Sequence, residues 1–401
     1  MGTSPGLNSL DLGIIAAYLA SITLFGLRFR KRQRTTRDYF LADRDIPWWA
    51  IALSIVAAET STLTIISVIL LPHYFRGDLF TAYQLMERRF GPRLRGVTAA
   101  VFLLTRAAAE GVRVYAVSIV VSIALGTGEV ASIAIITLLT LMYTFEGGLA
   151  AVIWTDVVQT FIYVGGTLVG LVTILHLVPG GWTSVQALAA AGHKFQIFDL
   201  GLLPGWPYLN FLKPYTVWAG IIGGAFFTVA SHGTDQLIVQ RLLAARSERQ
   251  SVMALLSSGV AILFQMALFL FVGVMLFAYY RVPSAIFGKA DRIYPTFIVT
   301  RMPHGISGLL VAAILAAAMS NLSAALNALS SSSMIDFYFR YRPDWDEKKR
   351  LQVSRWATFI WALILFALAV VALHRAGRVV EGAKASGGEQ RPHANGLAGD
   401  A

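Results

Sequence analysis

The 401-residue chain contains no cysteine. That absence excludes disulfides, thiolate metal centres and cysteine nucleophiles, and it removes the usual clue to a reducing or oxidising compartment. Charge is also scarce, with 14% of residues charged against about 25% in soluble domains. Catalytic and nucleotide-binding signatures are missing too: there is no G-x-S-x-G, no Walker A loop, no H-E-x-x-H, and no G-x-G-x-x-G between a strand and a helix. No nucleophile–base pair is visible, so the chain reads as a non-enzyme. Without a nucleotide-binding loop, any transport it performs would draw on a gradient rather than on ATP. Finally, the opening MGTSPGLNSLDLG lacks the basic n-region of a cleaved signal peptide. It reads as the start of a retained first helix with its N-terminus outside.

What is present is apolar. Residues of hydrophobic type make up 56% of the chain, and the charges cluster so as to leave windows of about 20 residues, enough to cross a bilayer as a helix. These fall near 11–29, 47–71, 97–125, 129–146, 150–178, 215–240, 252–280, 306–335 and 355–374. They lack period-2 alternation, so helices rather than barrel strands satisfy the backbone in lipid. The fold class is therefore all-α, a polytopic membrane helical bundle occupying residues 1–375. Residues 376–401, rich in Gly, Ala and polar side chains, have nothing with which to bury a core and read as a disordered tail. The net charge of +11 does not imply nucleic acid, because the Lys and Arg residues lie between spans, where the positive-inside bias puts them. Gly166 and Gly170, and again Gly220 and Gly224, stand four apart and read as helix-packing positions.

Charge placement raises one conflict. The basic stretches 28–37, 241–249 and 339–350 alternate correctly as cytoplasmic loops, yet 75–95 is basic as well and only span 47–71 separates it from 28–37. Either 47–71 re-enters on the same side or a span that should follow it is missing; the second reading is preferred.

Two polar interruptions stand out inside apolar spans, Ala57–Thr64 and Ala317–Ser333. The first places Glu59 among Thr60, Ser61, Thr62 and Thr64. A carboxylate there needs a partner, a proton or water, and nearby hydroxyls can satisfy backbone freed by unwinding. It serves either function or a structural ion pair. In the second, Ser320, Ser323, Asn327 and Ser330 or Ser331 recur at helical spacing as one polar stripe, widened at one level by Asn321. In lipid such a stripe faces a cavity or a partner helix; tight packing of small residues is the alternative. Oxygen-only donors suit a small hard cation such as Na⁺, and unwound carbonyls hold ions in transporters of broken-helix design. Among other intramembrane charges, Arg106, Glu110 and Arg113 can pair along one helical face. Asp156 stands as a lone carboxylate. Asp235 and Gln236 lie at the inner end of their span, with Arg241 placed to snorkel to the interface.

The segments DYFLADRDIPWWAIALSIVAAETSTLT, RGDLFTAYQLMERRFG, WTDVVQ, TDQLIVQR and MSNLSAALNALSSSSMIDFY together resemble the sodium:solute symporter family, in order from about residue 38 to about 375. The resemblance implies a fold of two inverted five-helix repeats and sodium-coupled symport of a small polar solute by alternating access. It implies a sodium site from Ala57 and Thr60 on the first core helix and from Ala317, Ser320 and Asn321 on the eighth, Asn321 standing where Ser or Thr is usual. It places Glu59, Asp156, Asp235, Gln236, Ser323 and Asn327 along the ion and substrate pathway. Sugar-contacting positions do not carry over, so the solute stays open. Against the family pattern, the second core helix and everything after the last recognisable span are absent, which implies an internally deleted, C-terminally truncated member with an incomplete fold. The expected partners are sodium, a small solute and the lipid of the bacterial cytoplasmic membrane. The alternative is a transport-defective remnant or a membrane sensor of the same fold.

Overall fold

In a computed structural model the chain is described over residues 7–58, 71–75, 79–202, 213, 216–228, 234–280 and 292–387, with side chains to 375. Glu59 and Thr60 lie outside the described residues. Six described helices are long and apolar enough to cross a membrane, and the only β-contact among the described residues is an isolated bridge between Ile46 and Ala245.

In chain order the helices are α1 (Ser9–Leu27), α2 (Thr36–Leu41), α3 (Trp48–Ala58), α4 (Leu71–Phe75), α5 (Ala82–Phe90), α6 (Pro92–Leu125) and α7 (Glu129–Leu177). They continue as α8 (Gly181–Ala191), α9 (Gly224–Thr228), α10 (Gln236–Leu243), α11 (Glu248–Tyr280), α12 (Ile293–Arg301), α13 (Ile306–Ser332), α14 (Phe339–Tyr341) and α15 (Glu347–Gly387). A π-helical turn, Ser333–Tyr338, joins α13 to α14.

At 49 residues α7 would be about 74 Å long if straight, more than twice a bilayer's apolar core of about 30 Å. It is broken at Gly148, where φ is +54° and ψ −156°. A Cβ there would meet the Tyr39 carbonyl oxygen at 2.5 Å, so the turn requires glycine. The expected spans 129–146 and 150–178 are therefore two crossings meeting at this residue. Farther along, Gly166 and Gly170 let α7 approach α13, their Cβ positions lying 3.1 Å from Ala313 and 3.2 Å from Leu310. Gly220 differs from expectation: its Cβ would face open space.

The charge conflict around residues 47–71 resolves in the tertiary structure. Arg44, just before α3, donates to the Leu79 carbonyl at 3.0 Å, so the residues just before α3 and those just before α5 lie at one face. The segments that flank residues 47–71 therefore meet on one side. That face is tied together by long-range bonds: Thr36 to Glu347 at 2.9 Å, Ile46 to the Ala244 carbonyl at 3.2 Å, and Thr81 to Asp336 at 2.7 Å.

Three further expectations change. The polar stretch Ala317–Ser333 is not a helix break; α13 runs unbroken to Ser332 and widens only in the π turn. Its Ser320, Ser323, Asn327, Ser330 and Ser331 are buried against neighbouring helices, where Ala and Ser permit close contact. The span 215–240 is divided, since Asp235 is extended (ψ 127°) and starts α10 afresh as its N-cap. Lastly, α15 continues past 376 to Gly387, in keeping with the helix formers Ala, Arg, Glu and Lys there; residues 388–401 lie outside the described ones.

At the opposite face, Asp11 in α1 is fully buried against the start of α13. Its carboxylate accepts from the backbone N–H groups of Gly305 (2.6 Å) and Gly308 (2.9 Å) and contacts His304 Nδ1 at 2.9 Å. A negative side chain at a helix N-terminus satisfies otherwise unpaired donors and complements the helix dipole.

Candidate functional site

Four helices deliver one buried polar cluster. Asp156 from the second half of α7 is fully buried, and a bare carboxylate there would carry a desolvation cost of several kcal/mol. The cost is met by three donors from different elements. Ser54 of α3 donates to Oδ2, Ser320 of α13 donates to Oδ1 at 2.6 Å, and Arg241 of α10 pairs with Oδ2 at 3.1 Å. Arg241 is itself 1% exposed. Its Nε donates to Ser54 Oγ at 2.8 Å and its Nη1 to the Leu237 carbonyl at 2.8 Å.

This overturns two expectations. Arg241 does not snorkel to the interface, and Asp156 is not a lone carboxylate. They are each other's counter-charge, 85 residues apart in sequence, and each is more stable buried with the other than in lipid alone. Neither Arg241 as a buried partner nor Ser54 as a donor was picked out from the sequence. The available signal was the physical requirement that a mid-span Asp find a cation, with Arg241 at the end of an apolar run.

Next to this cluster lies a cavity of about 490 Å³, lined by Ala57, Ala317 and Asn321 together with Tyr163, Gln265 and Tyr294. Its volume falls in the range of small-molecule sites. Ala57 of α3 and Ala317 and Asn321 of α13 thus line one cavity, while Ser320 points instead into the Asp156 cluster. Ser323 Oγ donates to the Ser320 carbonyl at 2.9 Å, so its hydroxyl is satisfied within α13.

Asn321 has a different employment from the one expected. Its Nδ2 donates to the Ala58 carbonyl at 3.0 Å, closing α3 onto α13, while its Oδ1 accepts from Arg113 Nη1 at 2.9 Å. Arg113 also meets Glu110 at 3.3 Å, and Arg106 meets Glu110 at 3.6 Å, so the expected ion cluster on one face of α6 forms. It extends to Asp235 through Arg106 at 3.3 Å.

Asp235, Gln236 and Asn327 do not line the cavity. Asp235 Oδ1 caps α10 by accepting from the Leu237 N–H at 2.8 Å. Gln236 accepts from the Ala82 N–H at 2.8 Å and donates to the Phe80 carbonyl at 3.0 Å, pinning the start of α5. Asn327 accepts from Gln240 at 2.6 Å. These three hold elements together at the basic face. Among the described residues no group of three His, Asp or Glu side chains could hold a metal ion.

Comparison with known proteins agrees with this geometry. A profile of the sodium:solute symporter family matches residues 58–384. The sodium/sialic acid symporter of Proteus mirabilis is 28% identical over 361 residues, covering 82% of this chain and 71% of its own. The sodium/glucose cotransporter of Vibrio parahaemolyticus is 29% identical over 417 residues, covering 90% and 75%. The solved substrate-bound, outward-open structure of a Na⁺-coupled sialic acid symporter superposes with a TM-score of 0.78 at 26% identity, covering 90% of this chain and 81% of that one. Its family consists of transporters that couple sodium entry to solute movement by alternating access. The chain belongs to the sodium:solute symporter family, with Na⁺ as its coupling ion and a small solute as its cargo.

Proposed function

We propose that the coupling ion is held where the end of α3 meets α13, by the carbonyls of Ala57 and Ala317 and the hydroxyl oxygen of Ser320. The observation that carries this reading is the Ser320–Asp156 hydrogen bond at 2.6 Å. Because the Ser320 proton is committed to the carboxylate, its oxygen lone pairs are left for a cation, and the neighbouring negative charge makes that oxygen a stronger ligand. Asp156 thus acts on the ion through Ser320, and Arg241 keeps the pair neutral when no ion is bound. Asn321 serves here as a clamp on Ala58 while Arg113 occupies its oxygen. Thr60 and Glu59 belong to the same reading by resemblance.

The cargo is a small polar solute, accommodated in the cavity beside Asn321; relatives carrying sialic acid and glucose by name support that class. The face bearing the basic segments is the cytoplasmic one by the positive-inside rule, which puts the N-terminus outside and the chain in the cytoplasmic membrane, its basic loops serving topology rather than nucleic-acid binding. The return of the chain at Leu79, where relatives of greater length are expected to complete a second core helix, supports an internal deletion of that helix.

The test is uptake of radiolabelled sialic acid and glucose into proteoliposomes across a sodium gradient. Ser320→Ala is expected to raise the sodium concentration for half-maximal uptake at least tenfold, since hydrogen bonds to charged groups are worth about 1.5–3 kcal/mol. Uptake that proceeds equally without sodium would overturn the reading.

A further inference from the structure

A second cavity, of about 630 Å³, lies on the membrane-facing side of α1 against the second half of α7, remote in its lining from the solute cavity. Its walls are apolar, from Ile22, Leu24, Phe25, Val158 and Ile162, and Arg28 closes it at the basic face. Along α1 the groove runs from Tyr18 to Arg28, ten residues or about 15 Å. That is the depth of one bilayer leaflet, half of a core about 30 Å thick.

The charge at its mouth is one-sided. The turn Arg28–Arg32 carries four basic residues, and only Arg30 is neutralised, by Glu146 at 3.1 Å. No acidic side chain among the described residues pairs with Arg28, Lys31 or Arg32. An apolar trough one leaflet deep, ending in uncompensated cations at the interface, matches the chemistry of one acyl chain below a phosphate headgroup. We infer that this groove is a binding site for an anionic phospholipid, with the acyl chain against Leu24 and Val158 and the headgroup phosphate on Arg28. The site also touches the transport machinery: Tyr18 in its wall accepts a hydrogen bond from Gln159 at 3.3 Å, one helical turn from Asp156.

The experiment uses the purified full chain, exposed to equimolar phosphatidylglycerol and phosphatidylcholine, with retained lipid read by native mass spectrometry. Wild type is expected to retain phosphatidylglycerol in preference. Arg28→Gln is expected to lower that retention about fivefold, the factor equivalent to the ~1 kcal/mol contributed by a basic side chain at an acidic membrane surface. Lys348→Gln, an exposed basic residue on the same face, is expected to leave it unchanged. Leu24→Trp fills the groove and is expected to lower retention of both lipids, which keeps a readout should Arg28→Gln fold poorly. Equal retention of the two lipids by wild type, or full retention by Arg28→Gln, would overturn the inference. So would displacement of the lipid by soluble glycerol phosphate at comparable concentration, since the ligand would then be a free phosphate.

Discussion

Replacing Arg241 by methionine isolates the contribution of the buried pair at the centre of the site. The substitution keeps an unbranched apolar side chain in place but removes the guanidinium from Asp156, Ser54 and the Leu237 carbonyl. Breaking one partner of a buried pair typically costs 3–5 kcal/mol, because the other charge is left uncompensated. Ser54 and Ser320 still donate to Asp156, which argues for the lower end, about 3 kcal/mol. With an unfolding entropy of ~2.1 cal/mol/K per residue, that corresponds to a fall in melting temperature of roughly 3–5 °C for a chain of this length. Asp156→Asn alone should cost a similar amount, as it strands Arg241. The double variant, with neither charge, should recover most of the loss and lie within about 1 kcal/mol of wild type. Intrinsic fluorescence reads the transition in detergent, since the chain has nine tryptophans. If the double variant is destabilised by the sum of the two singles, the charges do not compensate each other and the reasoning fails. All three variants should lose sodium-dependent uptake, including the thermally recovered one, because Ser320 no longer has a carboxylate to orient it.

Other consequences are equally open to measurement. Since the chain has no cysteine, single cysteines introduced at Asp43, Arg89 and Lys194 report sidedness directly. A membrane-impermeant maleimide should label the first two from one side and the third from the other, and labelling of positions 43 and 89 from opposite sides would contradict the return of the chain at Leu79. Gly308→Ala places a methyl 2.7 Å from Asp11 Cα and 2.8 Å from its carbonyl oxygen, so α1 must shift; a loss of about 1–3 kcal/mol is expected by thermal unfolding, and an unchanged melting temperature would show that α1 yields freely. Gln236→Leu leaves the Ala82 N–H and Phe80 carbonyl without their side-chain partner, at a cost of about 1–3 kcal/mol; proteolysis near α5 should quicken, and wild-type resistance there would refute its role as a pin. Asp336→Asn deprives buried Arg95 of a charge at 2.9 Å, and a melting temperature lowered by several degrees is expected; no change would mean that Glu87 and the Ile335 carbonyl suffice for Arg95.

The membrane itself made much of this protein legible in the sequence. A bilayer requires long apolar helices and makes every polar side chain within them conspicuous, so the spans, Asp156, the serines of α13 and the charges of α6 could all be picked out by position alone. The duplicated basic loops likewise signalled that the segments before and after 47–71 share one side, which the Arg44–Leu79 contact brings together. Local pattern could not supply partners. Arg241 follows an apolar run and by itself suits the interface as well as the core; only the packing of α10 beside α3 and α7 brings it to Asp156. Asn321 has ligand chemistry in sequence, and only the position of Arg113 on a separate helix shows its oxygen engaged. The return of the chain to Leu79 and the groove closed by Arg28 depend in the same way on contacts between distant segments. Periodicity describes one helix at a time, whereas pairing energies belong to two, and that is where sequence stopped and tertiary structure decided.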